Sequence, residues 1–388
     1  MKENELFHLE NGTIVVPDAE GVENEEKEGG DQIVKPFDPT LIRVESKPMT
    51  LGQLISRLKH DEVNLAPDFQ RKAGIWKGEV QSRLIESILI RIPIPAFYFD
   101  ASNEDKWIVV DGLQRLTTIN NFVLKKELRL SGMEFLESLN SKSYDELPRH
   151  FQRRIDEAQI VVFLIEKNTP PEVKFNIFKR INTGGVPLTA QEIRHALNQG
   201  PVTKLLADLA QSNAFKLATN GRIKEDRMDD RECVTRFMGF VLTPPEQYPV
   251  GDFDSFLSDT MAKINSQTDK ERSDLSRRFL RAMKAAHDIF GRGTFRKYAS
   301  RSFPINKALF ETWSVCLDGL TDQEMERLIK ISAKVRENFS LECQNNYPFM
   351  DSISQSTGDP NKIKRRFSIV KLFIQEVLNV KLADDKKL

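Results

Sequence analysis

Runs of strand-forming residues are confined to the first half of this 388-residue chain, and there they alternate with helical segments. That arrangement limits the folds open to it. "LIRV" at residues 41–44, "IPIPAFYFD", "KWIVVDG" and "IVVFLI" at residues 160–165 are short, rich in β-branched and aromatic residues, and bounded by turn residues. Between them, Leu51, Leu54, Ile55 and Leu58 recur with helical spacing behind Thr50, a good N-cap. Val80, Leu84, Ile85, Ile88 and Leu89 form a second apolar stripe. Pro171 suits the first turn of another helix, and Thr189 with Glu192 spells a capping box. Beyond about Pro201 the strand signals vanish, and windows such as "KERSDLSRRFLRAMKAAHDIF" and "LTDQEMERLIKISAKVRENF" are helical in period. The expectation is an α+β domain followed by a mainly α-helical one, with no internal repeat.

The length exceeds one typical core, so the chain should divide. The expected boundaries are a disordered acidic arm over residues 1–38, an α+β domain over 39–200 and a helical domain over 201–388. The formal charge sums to zero, but residues 1–35 carry ten acidic side chains against three lysines, a balance of −7. The remaining chain is therefore modestly basic, which suits a polyanionic partner without specifying one. The arm, with "EGVENEEKEGGD" at its centre, is too polar to bury anything and reads as a solvated tail. Its sharper reading is a nucleic-acid mimic that shields the basic body. No uncharged apolar run reaches the roughly 20 residues of a membrane span. The acidic N-terminus lacks the apolar segment of a secretory signal. Three scattered cysteines do not make a disulfide framework or a Cys-type zinc site, so a reducing, cytoplasmic setting is expected.

"WIVVDGLQRLTTINNF" delivers Asp111 from the carboxyl end of a strand onto the start of a helix. Ligands favour that position, because a helix N-terminus offers unpaired N–H groups and the positive end of a dipole. Gly112 permits a tight turn and close backbone approach. Leu113, Leu116, Ile119, Phe122 and Val123 supply the inward stripe, which leaves Gln114, Arg115 and Thr118 toward Asp111. Arg115 offers a rigid fork for phosphate oxygens, and Asp111 can hold a metal ion or orient a water. Spacing alone leaves a second reading equally open: Asp111 caps the helix and Arg115 is its surface salt-bridge partner.

Two further stretches carry candidate chemistry. In "PDFQRKAGIW", Gln70, Arg71 and Trp76 could grip a nucleotide with the ring on its base, or Trp76 could simply plug the core. In "FKRINTGGVPLTAQEIR", residues 178–194, Asn182 precedes a Gly pair and reads as a helix C-cap, although the loop's amides could nest an anion. Caps account for Thr189 and Glu192, while Arg180 and Asn182 stay open. In the second half, "GRGTFRKYASRSF" and "NKIKRRFSIVK" interleave basic and aromatic residues, and Arg296, Lys297, Arg365 and Arg366 are candidate DNA contacts. The bland reading there is solvated helix faces neutralised by nearby acids. The five histidines are too dispersed to suggest a nuclease centre of the HNH type.

Taken together, "PDFQRKAGIW", "SILIRIPIP", "DGLQRLTT" and "FKRINTGGVPLTAQEIR" occur in the order and spacing of a known family. They resemble the N-terminal domain of GmrSD-type modification-dependent restriction enzymes, a family placed in the ParB/sulfiredoxin-like superfamily. The resemblance covers roughly residues 45–240. It implies a ParB-like domain with a small mixed sheet that binds and hydrolyses an NTP, with Mg²⁺ as cofactor. It further implies that nucleotide state is coupled to DNA restriction or phage defence, with cleavage supplied by a separate nuclease subunit. By the family motif, Asp111, Gln114 and Arg115 carry over as the catalytic core, with Asp111 on the metal. Gln70, Arg71, Gly112, Thr118 and Asn182 join Arg115 in holding the nucleotide. The departure is Leu113, where the family pattern has Gln. If that residue orients a water, the change bears on hydrolysis while binding survives; if it packs inward, the change is benign. Two other readings remain, a DNA-binding module without hydrolysis and a non-catalytic interaction scaffold.

Overall fold

The computed structural model describes residues 8–10, 13–15, 21–23, 42–65, 76–181, 188–225, 227–248 and 252–384. The chain forms two compact units, Phe37–Leu197 and a second that joins Met1–Pro36 to Asn198–Leu388.

The first unit is α+β. Its five strands are β1 (Val44–Thr50), β2 (Val63–Asn64), β3 (Phe97–Asp100), β4 (Trp107–Asp111) and β5 (Gln159–Ile165), in the order β1-β5-β3-β4-β2. The sheet is mixed: β1–β5 and β3–β4 run antiparallel, β3–β5 and β2–β4 parallel. Strand alternation sends successive side chains to opposite faces. Phe97, Phe99, Trp107, Ile160, Val162 and Leu164 point to one face. They pack there with Leu54, Ile85, Leu116 and Ile155 of helices α1 (Leu51–Lys59), α2 (Gly78–Leu89), α3 (Leu113–Ile119) and α4 (Arg149–Glu157). The other face presents Val110 and Ile165 to Phe175, Phe178, Ile193 and Ala196 of α5 (Pro171–Ile181) and α6 (Ala190–Leu197).

Local codes explain most of these boundaries. Thr50 caps α1 reciprocally with Gln53, at 2.9 and 3.3 Å. Thr189 and Glu192 do the same ahead of α6, at 2.7 and 3.1 Å. The first strand differs from the expected 41–44: it runs through the polar stretch Val44–Thr50. It lies at the sheet edge, where one side is solvated and Pro48 is tolerated. Val80 also departs from its stripe, being 43% exposed while Leu84, Ile85, Ile88 and Leu89 are buried.

The second unit is helical, from Pro201–Ala210 to the terminal Pro360–Asp384, apart from two short antiparallel strands in the acidic arm, His8–Glu10 and Thr13–Val15. Its core gathers Phe237, Phe279, Phe310, Trp313, Phe339 and Phe367. Embedded in it is a balanced chain of charges. Lys307 pairs with Asp229 and Glu232 at 2.9 and 3.2 Å, Arg236 with Glu232 and Glu311 at 2.9 and 3.3 Å, and Arg366 with Glu311. Within this unit the acidic arm meets the helical part at one described point. Glu23 N–H donates to Ile305 O at 2.8 Å, and its carboxylate accepts from Lys297 Nζ at 2.5 Å and Asn306 Nδ2 at 3.0 Å. Here the arm is held rather than solvated. Cys233, Cys316 and Cys343 are free, buried thiols. No described helix is long and apolar enough to cross a membrane.

Candidate functional site

The junction between β4 and α3 turns on Gly112. Its φ of 101° lies in the left-handed region, and a Cβ there would sit 2.5 Å from Phe97 Cδ1. Both features require glycine. The hydrogen bond from Leu116 N to Gly112 O at 2.8 Å opens α3, so the amides before Leu116 make up its first turn. The helix cap is Gly112 itself and has no side-chain hydrogen bond, so Asp111 does not cap the helix.

Arg115 is 8% exposed. Its Nη1 donates to Pro95 O, and its Nη2 donates to Ala96 O at 3.1 Å and to Asp111 Oδ2 at 2.9 Å. The guanidinium carbon lies 4.6 Å from the centre of the Phe97 ring, in cation–π range. Burial pushes its pKa down, while the adjacent Asp111 carboxylate holds it up. This corrects both expectations for Arg115. It is neither a surface salt-bridge partner nor a fork held out for phosphate, because it clamps the segment leading into β3 and fixes Asp111. The Asp111 side chain is 32% exposed, and among the described residues only Arg115 bonds to it, through Oδ2. Its Oδ1 is the acceptor left for a ligand.

The remaining motif residues sort by packing. Gln114 is half-buried at the start of the helix. Thr118 is fully buried and donates to Gln114 O at 2.8 Å within its own helix, so it cannot contact a nucleotide. Leu113 packs with Val110, Phe178 and Ile193 on the second face, while Leu116, Ile119, Phe122 and Val123 enter the first core. The position that departs from the family pattern is therefore an apolar packing position. Trp76 is half-buried and packs against the first core, as the plugging reading expects. Gln70, Arg71 and Asn182 lie outside the described residues, and Arg180 is exposed at the end of α5.

The basic candidates in the helical unit fare differently. Arg366 is fully buried and bonds to Glu311, Ser352 O and Thr357 O. Arg296 is 1% exposed and donates to Phe303 O, and Lys297 is buried against Glu23. These three do not present their charges to a phosphate backbone, because their side chains are enclosed. Arg365 alone is exposed, with Asp351 at 3.7 Å.

Two features escaped the motif reading. Asp100, at the end of β3, accepts from Lys174 Nζ through both oxygens at 3.1 Å, and Ser102 bonds to both partners. The available signal was a lysine on the apolar stripe of α5, between Val173 and Phe178. The second is a pair of stacked rings, Tyr98 and Phe163, with centroids 4.7 Å apart and planes 19° from parallel. Among the described residues no three His, Cys, Asp or Glu side chains converge as a metal site, so a cation at Asp111 would need ligands from its substrate.

Residues 51–198 match the family model described as the GmrSD restriction endonuclease, N-terminal domain. No curated protein and no solved structure matches the chain. The matched span starts at α1, ends just past α6 and encloses the Asp111–Arg115 junction. Residues 51–198 are thus similar to the GmrSD restriction endonuclease N-terminal domain, and the match supports that family for the α+β unit.

Proposed function

We propose that the α+β unit binds a nucleoside triphosphate at the β4–α3 junction and hydrolyses it. This activity governs a DNA restriction or phage-defence response in the cytoplasm, with cleavage supplied by a separate nuclease subunit. The observation that carries the proposal is the division of labour at Asp111. One oxygen is tied to the buried Arg115, and the other has no bond among the described residues, on a partly exposed side chain beside the start of a helix. That donor set fits a magnesium ion shared with a substrate: one hard carboxylate oxygen, with phosphate and water completing the shell. Bound there, Mg²⁺ would neutralise charge on the phosphates. The α3 amides bind phosphate through the helix dipole, Gln114 orients the attacking water, and Arg115 positions Asp111. Gly112 lets the backbone approach closely, with Gln70, Arg71 and Asn182 as further nucleotide contacts.

The test is phosphate release from ATP and GTP with Mg²⁺, with and without DNA. Asp111→Asn should abolish turnover. Arg115→Lys, which keeps the charge but loses the fork, should lower it with the same pH profile. Full turnover in Asp111→Asn would sink the proposal.

One observation favours a second reading, an interaction scaffold: Arg115 is enclosed and paired as structural arginines are. It expects no change in melting temperature on adding any NTP, whereas tight nucleotide binding must raise it by mass action. The reading of DNA binding without hydrolysis drew on Leu113, and the packing of that side chain removes its support.

A further inference from the structure

Ser46, Phe163, Tyr98 and Asp111 form one cross-strand row. Ser46 pairs with Phe163, Phe163 with Tyr98, and Tyr98 with Asp111, on strands β1, β5, β3 and β4. On β5 and β3, where the register is regular, Phe163 and Tyr98 project to the same face. Between Tyr98 and Phe99 the β3–β4 register shifts at a bulge, with Tyr98 paired to Asp111 and Phe99 to Val109, so Val110 is the extra residue. The backbone of Tyr98 lies one strand spacing, about 4.8 Å, from that of Asp111, and that of Phe163 about 10 Å from it. The two rings are stacked on each other and each is half-buried. Tyr98 reaches the edge of the cluster under α5 and α6, whereas Phe163 belongs to neither core of this unit. Beyond it Val161 is 43% exposed and Pro48, its partner on β1, is exposed. A half-exposed aromatic stack thus continues from the proposed phosphate end along the sheet, over a span comparable with the reach from a nucleobase to its phosphates.

We infer that Tyr98 and Phe163 are the base-stacking platform of the nucleotide site, resting on the nucleotide reading proposed above. The platform takes a planar base by its π-face, so it selects for nucleotides over inorganic polyphosphate and discriminates weakly among bases. Purines, with the larger ring, bind better than pyrimidines.

The experiment is calorimetric titration of the full chain with ATP, CTP and inorganic tripolyphosphate, each with Mg²⁺. It compares the native protein with Phe163→Leu and with Tyr98→Leu/Phe163→Leu, which keep apolar bulk and remove the rings. The double variant should bind ATP roughly tenfold or more weakly, as the loss of one stacked base requires. Its tripolyphosphate affinity should stay within about twofold, and Phe163→Tyr should bind ATP as the native protein does. Unchanged ATP affinity in the double variant overturns the platform and leaves the nucleotide reading intact. Equal loss of ATP and tripolyphosphate also overturns it, since the rings would then shape the site without touching the base. If the native protein binds neither ligand, both the platform and the nucleotide reading fall.

Discussion

Lys174 Nζ lies 3.1 Å from both carboxylate oxygens of Asp100, joining helix α5 to the end of β3 in a pair whose side chains are 10% and 6% exposed. A buried pair of this kind contributes little net stability compared with apolar residues, but removing one partner leaves an uncompensated charge. Asp100→Leu or Lys174→Met alone should each destabilise the α+β unit by about 3–5 kcal/mol, while the double variant should recover most of that loss. Hydrogen exchange of the β3 and α5 amides measures it without assuming that the two units unfold together. Simple addition of the two single losses would show that the pair is not coupled.

The junction glycine is equally exposed to test. Gly112→Ala meets a left-handed φ and the Phe97 ring at 2.5 Å, and should cost about 2–4 kcal/mol from strain and overpacking together. Adding Phe97→Leu opens the space but leaves φ unchanged, so rescue should be partial. A fully restored melting temperature would mean that crowding alone, and not the turn geometry, demands glycine here.

How much of this was legible in the sequence depends on the distance between partners. Leu116 and Ile119, Thr50 with Gln53, and Thr189 with Glu192 act within one or two helical turns, and spacing reveals them. The role of Arg115 is not visible in that way. Two of its acceptors are the carbonyls of Ala96 and Pro95, 19 and 20 residues away, and they become neighbours only once β3 and β4 pair. Asp100 and Lys174 are 74 residues apart. Arg366 is a different kind of miss. It shares a helical stripe with Ile363, Phe367 and Val370, so periodicity assigns it to the core; the basic run around it drew the surface reading.

Glu86 gives the α+β unit a definite acid response. Burial raises its pKa, but the N–H groups of Glu134, Phe135 and Leu136 donate to its carboxylate at 3.0, 2.7 and 2.8 Å, and the net shift is downward. A depressed folded pKa contributes stability above the unfolded pKa and loses it as pH falls through the folded one. The native protein should therefore lose part of its advantage over Glu86→Gln as pH drops from about 5 through the ordinary glutamate value of about 4.3 and below. Melting curves of both proteins across that range check it. A constant difference would mean that the segment over residues 134–136 is held by something other than the charge.

Arg366 and Arg365 are neighbours in sequence with opposite environments, and they separate folding from DNA contact. Arg366 is fully buried on Glu311, so Arg366→Ala leaves that carboxylate with Arg236 as its remaining described ion-pair partner. Loss of such a partner costs about 3–5 kcal/mol, so the helical unit should melt well below the native protein. Arg365 is 43% exposed and 3.7 Å from Asp351, and Arg365→Ala should shift stability by no more than about 0.5 kcal/mol. If this face meets the phosphate backbone, Arg365→Ala lowers the slope of log affinity against log salt by about one and Arg366→Ala does not alter it. The two measurements, melting and salt dependence, should rank the two variants in opposite order. The same order in both would place Arg366 at the surface, against the enclosure seen for its guanidinium.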